Sequence, residues 1–450
     1  MIKPQKIERI IVICAFCFIF CQATTCSKGP DIPPPKVDPA DSLEGMSEQL
    51  TASVYIDCTG SMEGFVCPST ATNYIQTLRA IESVINTGWK DARVRFFKFG
   101  KEVRPLADRQ HLKALGREFY KDSEISSETH IDRVINSAGT GSKGSLTIIV
   151  TDLFQDDGDV SVLTDAITKK CIKENRSIGV LGIRSQYDGI VCEVGIQSYS
   201  FRYITNDADP RSFRPFYLII LGTHTDVENC FEQLKQKLPF VSKDTFVIFS
   251  RHLVHPLASF EGGSIDEIQG LAEVTNIILT NSEDYRIKQF VVRKDSDVGL
   301  TATLKYNLLR YTAPFEVKKL EARVAATQYD TAGSKFQDSK EAAKSLNVEK
   351  ITSLKDGITL TINLTPTTLP GDGIYCYEIT MRPSRDAFNI PEWCKNWDMD
   401  STKIDLWKKN PKSFDGSRTL NLKMFVNDLL QKTTLIHEPK IGRVYCYFKK

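Results

Sequence analysis

The chain has 450 residues, of which 41% are hydrophobic and 25% charged, with 58 Lys and Arg against 56 Asp and Glu for a formal net charge of +2. At roughly 100–200 residues per domain, that length accommodates about two to four domains with cores of their own. The ordinary composition excludes collagen, coiled coil and wholesale disorder, and the near-neutral balance argues against a generic nucleic-acid binder or a polybasic membrane-surface protein.

Lys3, Lys6 and Arg9 precede an unbroken apolar stretch from Ile10 to Phe20. That stretch falls well short of the about 20 residues a membrane span needs. Residues 1–25 therefore have the plan of a secretory signal peptide. The run Ala23-Thr24-Thr25-Cys26 resembles the lipobox of bacterial lipoproteins, with Cys26 as the lipid-attachment residue. It departs from that pattern at Ala23, where Leu is usual, so plain secretion and an uncleaved anchor stay open. Residues 26–48 include Pro30, Pro33, Pro34, Pro35 and Pro39. Such a stretch forms no packed core and predicts an extended tether reaching up to roughly 70 Å. The expected location is the bacterial cell envelope, anchored to a membrane through an N-terminal lipid and facing the periplasm or the cell surface. Removing residues 1–25 takes Lys3, Lys6, Arg9 and Glu8 with it, which leaves 55 basic and 55 acidic residues. Beyond Cys26, eight cysteines follow (58, 67, 171, 192, 230, 376, 394 and 446). Disulfides are permitted in an exported chain, and their pairing is open.

Residues 49–250 alternate strand and helix patterns. Strands are predicted at 51–57, 92–99, 145–151, 177–183, 216–221 and 245–249, and helices at 71–86, 129–137, 160–174 and 225–237. Ile75, Leu78, Ile81, Val84 and Ile85 carry the helical spacing of the first helix. The alternation predicts an α/β domain, doubly wound around a mostly parallel sheet. Such sheets bind ligands outside the carboxyl ends of their strands. Asp57 and Asp152 both fall at such ends.

Asp57-Cys58-Thr59-Gly60-Ser61 resembles the D-x-[S/T]-x-S signature of von Willebrand factor type A domains. In that family the signature opens a metal-ion-dependent adhesion site. A later threonine comes from a loop before a helix, and an aspartate from the end of a central strand. Thr129 and Asp152 stand in those places. The resemblance covers residues 50–250 and implies a Rossmann-like fold. It also implies a Mg²⁺ or Mn²⁺ site built from Asp57, Thr59, Ser61, Thr129 and Asp152, and a protein or peptide partner that supplies a carboxylate. The chemistry agrees: Mg²⁺ takes about six oxygens in octahedral geometry, and three neutral hydroxyls leave it under-neutralised and receptive to an acidic oxygen. A degenerate site that only ties down loops is the competing expectation.

Two departures stand out. The family often has Asp-Gly at the second aspartate, whereas here Leu153 follows Asp152 and three further carboxylates, Asp156, Asp157 and Asp159, come soon after. They read as a solvated acidic loop. Residues 184–215 insert a hairpin and a polar loop, expected to extend the sheet edge or to dock the second half. Asp207 and Asp209 read as turn residues.

Residues 251–284 read as a connection of polar turns with one short helix. Residues 285–450 read as a β-rich domain, similar to an immunoglobulin-like sandwich. Its strands are predicted at 285–293, 299–306, 315–327, 357–364 and 373–382, with a helix near 419–431 and a last strand at 444–448. Trp393, Trp397 and Trp407 are expected to close a core.

No Walker A sequence, His-Glu-x-x-His pair or G-x-S-x-G elbow occurs. His252 and His255 have the wrong spacing for two ligands on one helical face, and His130 is expected on a helix surface. No catalytic residues are assigned and enzymatic activity is not expected. The expected function is metal-dependent binding of a protein or peptide. The alternative is a structural component of an envelope assembly in which the metal only stabilises loops.

Overall fold

The computed structural model describes residues 41–68, 71–138, 143–153, 160–192, 200–260, 263–278, 286–333, 335–399, 409–410 and 415–450. The signal segment, Cys26, the tether up to residue 40, Asp156, Asp157, Asp159 and Trp407 lie outside the described residues.

The first half is α/β. Its strands are β1 (Gln49–Asp57), β2 (Asp91–Phe99), β3 (Val103–Leu106), β4 (Ser145–Thr151), β5 (Ser177–Ser185), β6 (Asp188–Cys192), β7 (Ser200–Ile204), β8 (Arg214–Gly222) and β9 (Phe246–Phe249). Seven of them form one sheet in the order β3-β2-β1-β4-β8-β5-β9. β1 runs parallel to both β2 and β4. β3 is antiparallel to β2, β8 to both β4 and β5, and β9 to β5. The sheet is thus mixed, and its parallel pairing is confined to the β2-β1-β4 centre. The reversal comes from the 184–215 insertion. The chain leaves β5, turns through the β6–β7 ribbon and re-enters as β8 between β5 and β4. β8 (RPFYLIILG) is buried at every position. So apolar a strand needs a neighbour on each side and cover on both faces, which an edge position does not provide. The insertion therefore ends in the sheet interior instead of extending its edge, and β6–β7 stand apart as a separate two-stranded sheet.

The Asn73–Gly88 and His224–Lys237 helices cover one face of the sheet. Tyr74, Ile75, Leu78, Ile81, Val84 and Ile85 form the buried stripe of the first. Thr72 caps it by accepting from the Ile75 amide at 3.2 Å. The Ile131–Ser137 and Val160–Ile167 helices lie on the opposite face, with a third helix that comes from the far end of the chain, Leu422–His437. Its Leu422, Phe425, Val426, Leu429 and Leu430 share a core with Leu163, Ala166, Ile167 and Ile172. Trp393 and Cys394 belong to the same core. The sequence of the second half is therefore built into the α/β unit.

The rest of the second half has two sheets. One has the order β10-β13-β17-β16, from β10 (Ser264–Gln269), β13 (Val298–Lys305), β16 (Leu346–Leu354) and β17 (Gly357–Leu364). The other has the order β11-β12-β21-β18-β14-β15, from β11 (Leu271–Ile278), β12 (Arg286–Val292), β14 (Leu320–Asp330), β15 (Lys335–Asp338), β18 (Ile374–Pro383) and β21 (Gly442–Lys449). Leu300, Leu304, Leu360 and Ile362 of the first meet Tyr375, Tyr377, Ile379 and Phe448 of the second in one core. Residues 251–284, expected as a connection, contain β10 and β11, and β16 was not anticipated. All three are edge strands. β10 and β16 bury few of their residues, so their apolar alternation is weak. A short strand pair joins β19 (Asp398–Met399) to β20 (Thr419–Leu420).

The end of the expected tether is docked. Asp41 pairs with Lys440 at 2.9 Å and with Arg443. The Glu44 carbonyl accepts from Thr225 Oγ1 at 2.7 Å. The Ser47 amide and hydroxyl both donate to Asp226, at 3.0 and 2.6 Å. Residues 41–47 thus run from the second half to the His224–Lys237 helix.

Candidate metal centre

The centre sits where β1 and β4 end side by side. Their register pairs Ile56 with Val150, so Asp57 and Thr151 emerge together and Asp152 follows at once. Asp57 Oδ1 accepts from the Thr59 amide at 3.0 Å and from Thr59 Oγ1 at 2.7 Å. Asp57 Oδ2 accepts from Thr151 Oγ1 at 2.8 Å. Thr59 Oγ1 lies 3.3 Å from Ser61 Oγ. A one-turn helix, Gly60–Glu63, carries Ser61, and Thr59 stands at its N-cap. Thr129 lies two residues before the Ile131–Ser137 helix, in a loop held against Gly100, whose carbonyl accepts from the His130 amide at 3.3 Å. A side chain at Gly100 would overlap the Ile125 carbonyl, so glycine permits this close approach. All five positions are buried: Asp57 is 0% exposed, Thr59 4%, Ser61 5%, Thr129 1% and Asp152 1%.

Burial, and then the charge of Asp152, raises the Asp57 carboxyl above the ordinary carboxylate range. Burying two carboxylates side by side disfavours their joint ionisation. A neighbouring cation relieves that, and the chain supplies one. Arg214, the first residue of β8, donates from Nη2 to Asp152 Oδ2 at 3.2 Å, and both side chains are almost wholly buried. Its Nη1 donates to the Gly416 carbonyl at 3.3 Å. Its guanidinium lies 5.3 Å from the centre of the Tyr187 ring. The Tyr187 hydroxyl lies between the Ile190 carbonyl at 2.6 Å and the Ser61 carbonyl at 3.0 Å, sharing its one hydrogen between them, and its ring packs on Gly64, where a side chain would overlap it. The insertion and the Gly416 loop therefore wall one side of the site.

Whether these residues suit a divalent ion is a matter of donor type and spacing. Oxygens at about 2.1 Å from an octahedral ion lie about 3 Å from one another. The 2.7 and 3.3 Å separations among Asp57, Thr59 and Ser61 bracket that value, so this part of the donor set fits. Asp152 is engaged by Arg214. Among the described residues no group of three or more His, Cys, Asp or Glu could hold a metal; this centre relies on hydroxyls, with only two carboxylates.

Thr151, Tyr187 and Arg214 were not singled out by sequence. Thr151 is a hydroxyl at the end of an apolar strand, adjacent to Asp152, and that adjacency was the available signal. Arg214 and Tyr187 reach the site only through the insertion's path. His130 is buried and hydrogen-bonds Glu128 at 2.9 Å instead of lying on a helix surface. Asp209 caps a turn by accepting from the Arg211 amide. Among the described residues, cysteines 58, 67, 230, 376, 394 and 446 form no disulfide, and the Cys192 side chain lies outside the described set. Burial first, and then Asp57, pushes the Cys58 thiol up to about 12, so it stays protonated beside the site. Trp393 and Trp397 pack edge to face at 5.4 Å against the sheet, as the core reading expected. Among the described residues no helix is long and apolar enough to cross a membrane.

No protein-family model matches this chain, and no match is found among curated proteins.

Proposed function

We propose that this chain is an exported, membrane-anchored protein with a von Willebrand factor type A-like domain that binds a protein or peptide carboxylate through a divalent cation. The observation that carries the reading is the clustering of Asp57, Thr59 and Ser61 oxygens at the end of β1, with Asp152 at the end of the adjoining β4. Thr59, Ser61 and Thr129 would hold Mg²⁺ or Mn²⁺ through hydroxyls, and Asp57 and Asp152 would supply charge directly or through water. When bound, the ion supplies a positive centre for an acidic oxygen. Asp57, fixed by Thr59 and Thr151, holds the signature turn in place. The reading is of a binding protein, not an enzyme, and it includes a doubly wound, Rossmann-like topology for residues 49–250. Two sheets around one core support an immunoglobulin-like reading of the second half. The location belongs to the same proposal: Cys26 as the lipid anchor, in a bacterial envelope.

A second reading is favoured by the burial of all five positions and by the Arg214–Asp152 pair. In it the centre only holds loops together, and the chain is a structural component of an envelope assembly that makes its contacts elsewhere. Affinity capture from the native envelope distinguishes the two. Under the first reading, partners are lost in EDTA and in Asp57→Ala. Under the second they survive both, and are lost when charges replace the exposed Ile268 and Leu354 of the β10-β13-β17-β16 sheet. Removing residues 285–450 is not a usable test, because it would strip the Leu422–His437 helix from the α/β core.

A further inference from the structure

Arg214 joins three parts of the molecule that the sequence keeps far apart. Its guanidinium meets Asp152 at the end of β4, the Gly416 carbonyl of the C-terminal segment, and the face of Tyr187 at the root of the β6–β7 ribbon. Gly416 itself packs on Tyr203 of β7, and a side chain there would overlap that ring. Tyr187 reaches on to the Ser61 carbonyl. One side chain thus links a proposed metal-ligand carboxylate, the ligand turn, the insertion and the far C-terminal loop.

The charges set a conflict. Two buried carboxylates and one buried guanidinium carry a net formal charge of −1. A divalent ion at the same place would turn that net charge to +1 and set two cations beside one carboxylate, where water screens little. Arg214 holds Asp152 through Oδ2, and an ion drawn to the same carboxylate weakens that bond. A guanidinium presents fixed, planar donors and holds a carboxylate well, whereas an ion of the Mg²⁺ class needs the oxygen turned toward itself.

We propose that Arg214 is a resident cation that competes with the divalent ion for Asp152, so that metal entry displaces its guanidinium and releases the Gly416 loop. This rests on the metal-site reading above and deepens it. The site is closed by its own side chain, and the ion trades the Arg214 contact for its own. The loop at 415–418 is then the element whose freedom reports occupancy. Arg214 acts here as a positioning residue, through Asp152 and Gly416, not as a ligand.

The test uses the full chain and Mn²⁺ alone as the probe. Mn²⁺ affinity is measured for the wild type, Arg214→Met and Arg214→Lys. In parallel, amide hydrogen exchange of residues 415–418 is followed with and without Mn²⁺. The expected result is binding at least tenfold tighter in Arg214→Met, near wild-type affinity in Arg214→Lys, and faster exchange at 415–418 when Mn²⁺ binds the wild type. Binding by Arg214→Met alone, with none by the wild type, would overturn the proposal, since no ion then enters the native site to displace Arg214. Equal affinities with unchanged exchange would overturn it while leaving the metal site standing. Absence of Mn²⁺ binding in all three proteins would overturn the metal-site reading itself. If Arg214→Met fails to fold, the wild-type exchange response decides: faster exchange with Mn²⁺ supports the proposal, and unchanged exchange despite binding overturns it.

Discussion

Thr151 Oγ1 donates to Asp57 Oδ2 at 2.8 Å and so ties the ends of two neighbouring parallel strands together through a buried carboxylate. With the two bonds from Thr59, that oxygen pair is held from both sides. The hydroxyl also accepts from the Leu153 amide at 3.2 Å, which fixes the exit of β4 and with it the place of Asp152. Thr151→Val keeps the shape and removes the hydroxyl. Losing a buried hydrogen bond to a carboxylate costs about 1–3 kcal/mol. The expected outcome is a drop of that size in urea unfolding, with weaker Mn²⁺ binding, both restored by Thr151→Ser. A valine variant of unchanged stability and affinity would show that the bond is dispensable.

Asp226 gathers the Ser47 amide, the Ser47 hydroxyl, Trp89 Nε1 and Thr223 Oγ1, at 2.6–3.0 Å. Asp226→Ala leaves these donors without their acceptor in a dry site. A loss of about 2–4 kcal/mol is expected, together with new protease sensitivity in residues 41–47. Trp89 fluorescence reports the same change, since its indole loses its acceptor. A variant as resistant as the wild type would mean that the Asp41 ion pairs and the Glu44–Thr225 bond secure the segment without Asp226.

Leu429 lies in the Leu422–His437 helix and is fully buried against the α/β unit. Leu429→Ala is expected to cost about 2–5 kcal/mol. The loss should appear in probes of the first half, such as Trp89, as well as in probes of the second half. If only the second-half signal shifts, the helix does not belong to the first core.

His224, His252 and His437 are each pushed down to about 4, chiefly by burial. His252 adds to the shift of His224. Arg251, His437 and His255 add to that of His252, with Asp41 opposing them. Arg251 adds to that of His437. Glu228 stands 3.9 Å from His224 Nε2. The folded values lie below the unfolded value of about 6.5, so between those limits the unfolded chain binds more protons. This stability is therefore full above about pH 6.5 and falls as the pH drops toward 4. Urea midpoints across that window are expected to fall steadily, and His224→Leu should flatten part of the slope. A flat wild-type profile contradicts the assignment.

The sequence made most of the first half readable because its elements are strongly patterned. TASVYID and SLTIIVT are apolar runs that end in or next to the carboxylates of the centre, and the Asn73–Gly88 helix repeats its apolar residues at helical spacing. Strand direction was not readable, because apolar runs such as FYLIIL look alike whichever way they run. β8 reverses only because the 184–215 insertion brings the chain back between β4 and β5. The Leu422–His437 helix showed its amphipathic face but not its partner, which lies more than 200 residues away in sequence. Edge strands such as β16 stayed hidden, since one face and one side meet water. At the centre, Asp57, Thr59, Ser61, Thr129 and Asp152 stood out by type and spacing. Arg214 did not, because its contact with Asp152 is made by topology alone.

The most direct test of the account is Mn²⁺ binding by the purified full chain, followed by electron paramagnetic resonance and calorimetry, in the wild type and in Asp57→Ala. The account expects one Mn²⁺ site in the wild type, competed by Mg²⁺ and absent from a folded Asp57→Ala. A wild type with no site, or a site that persists unchanged in Asp57→Ala, would contradict it.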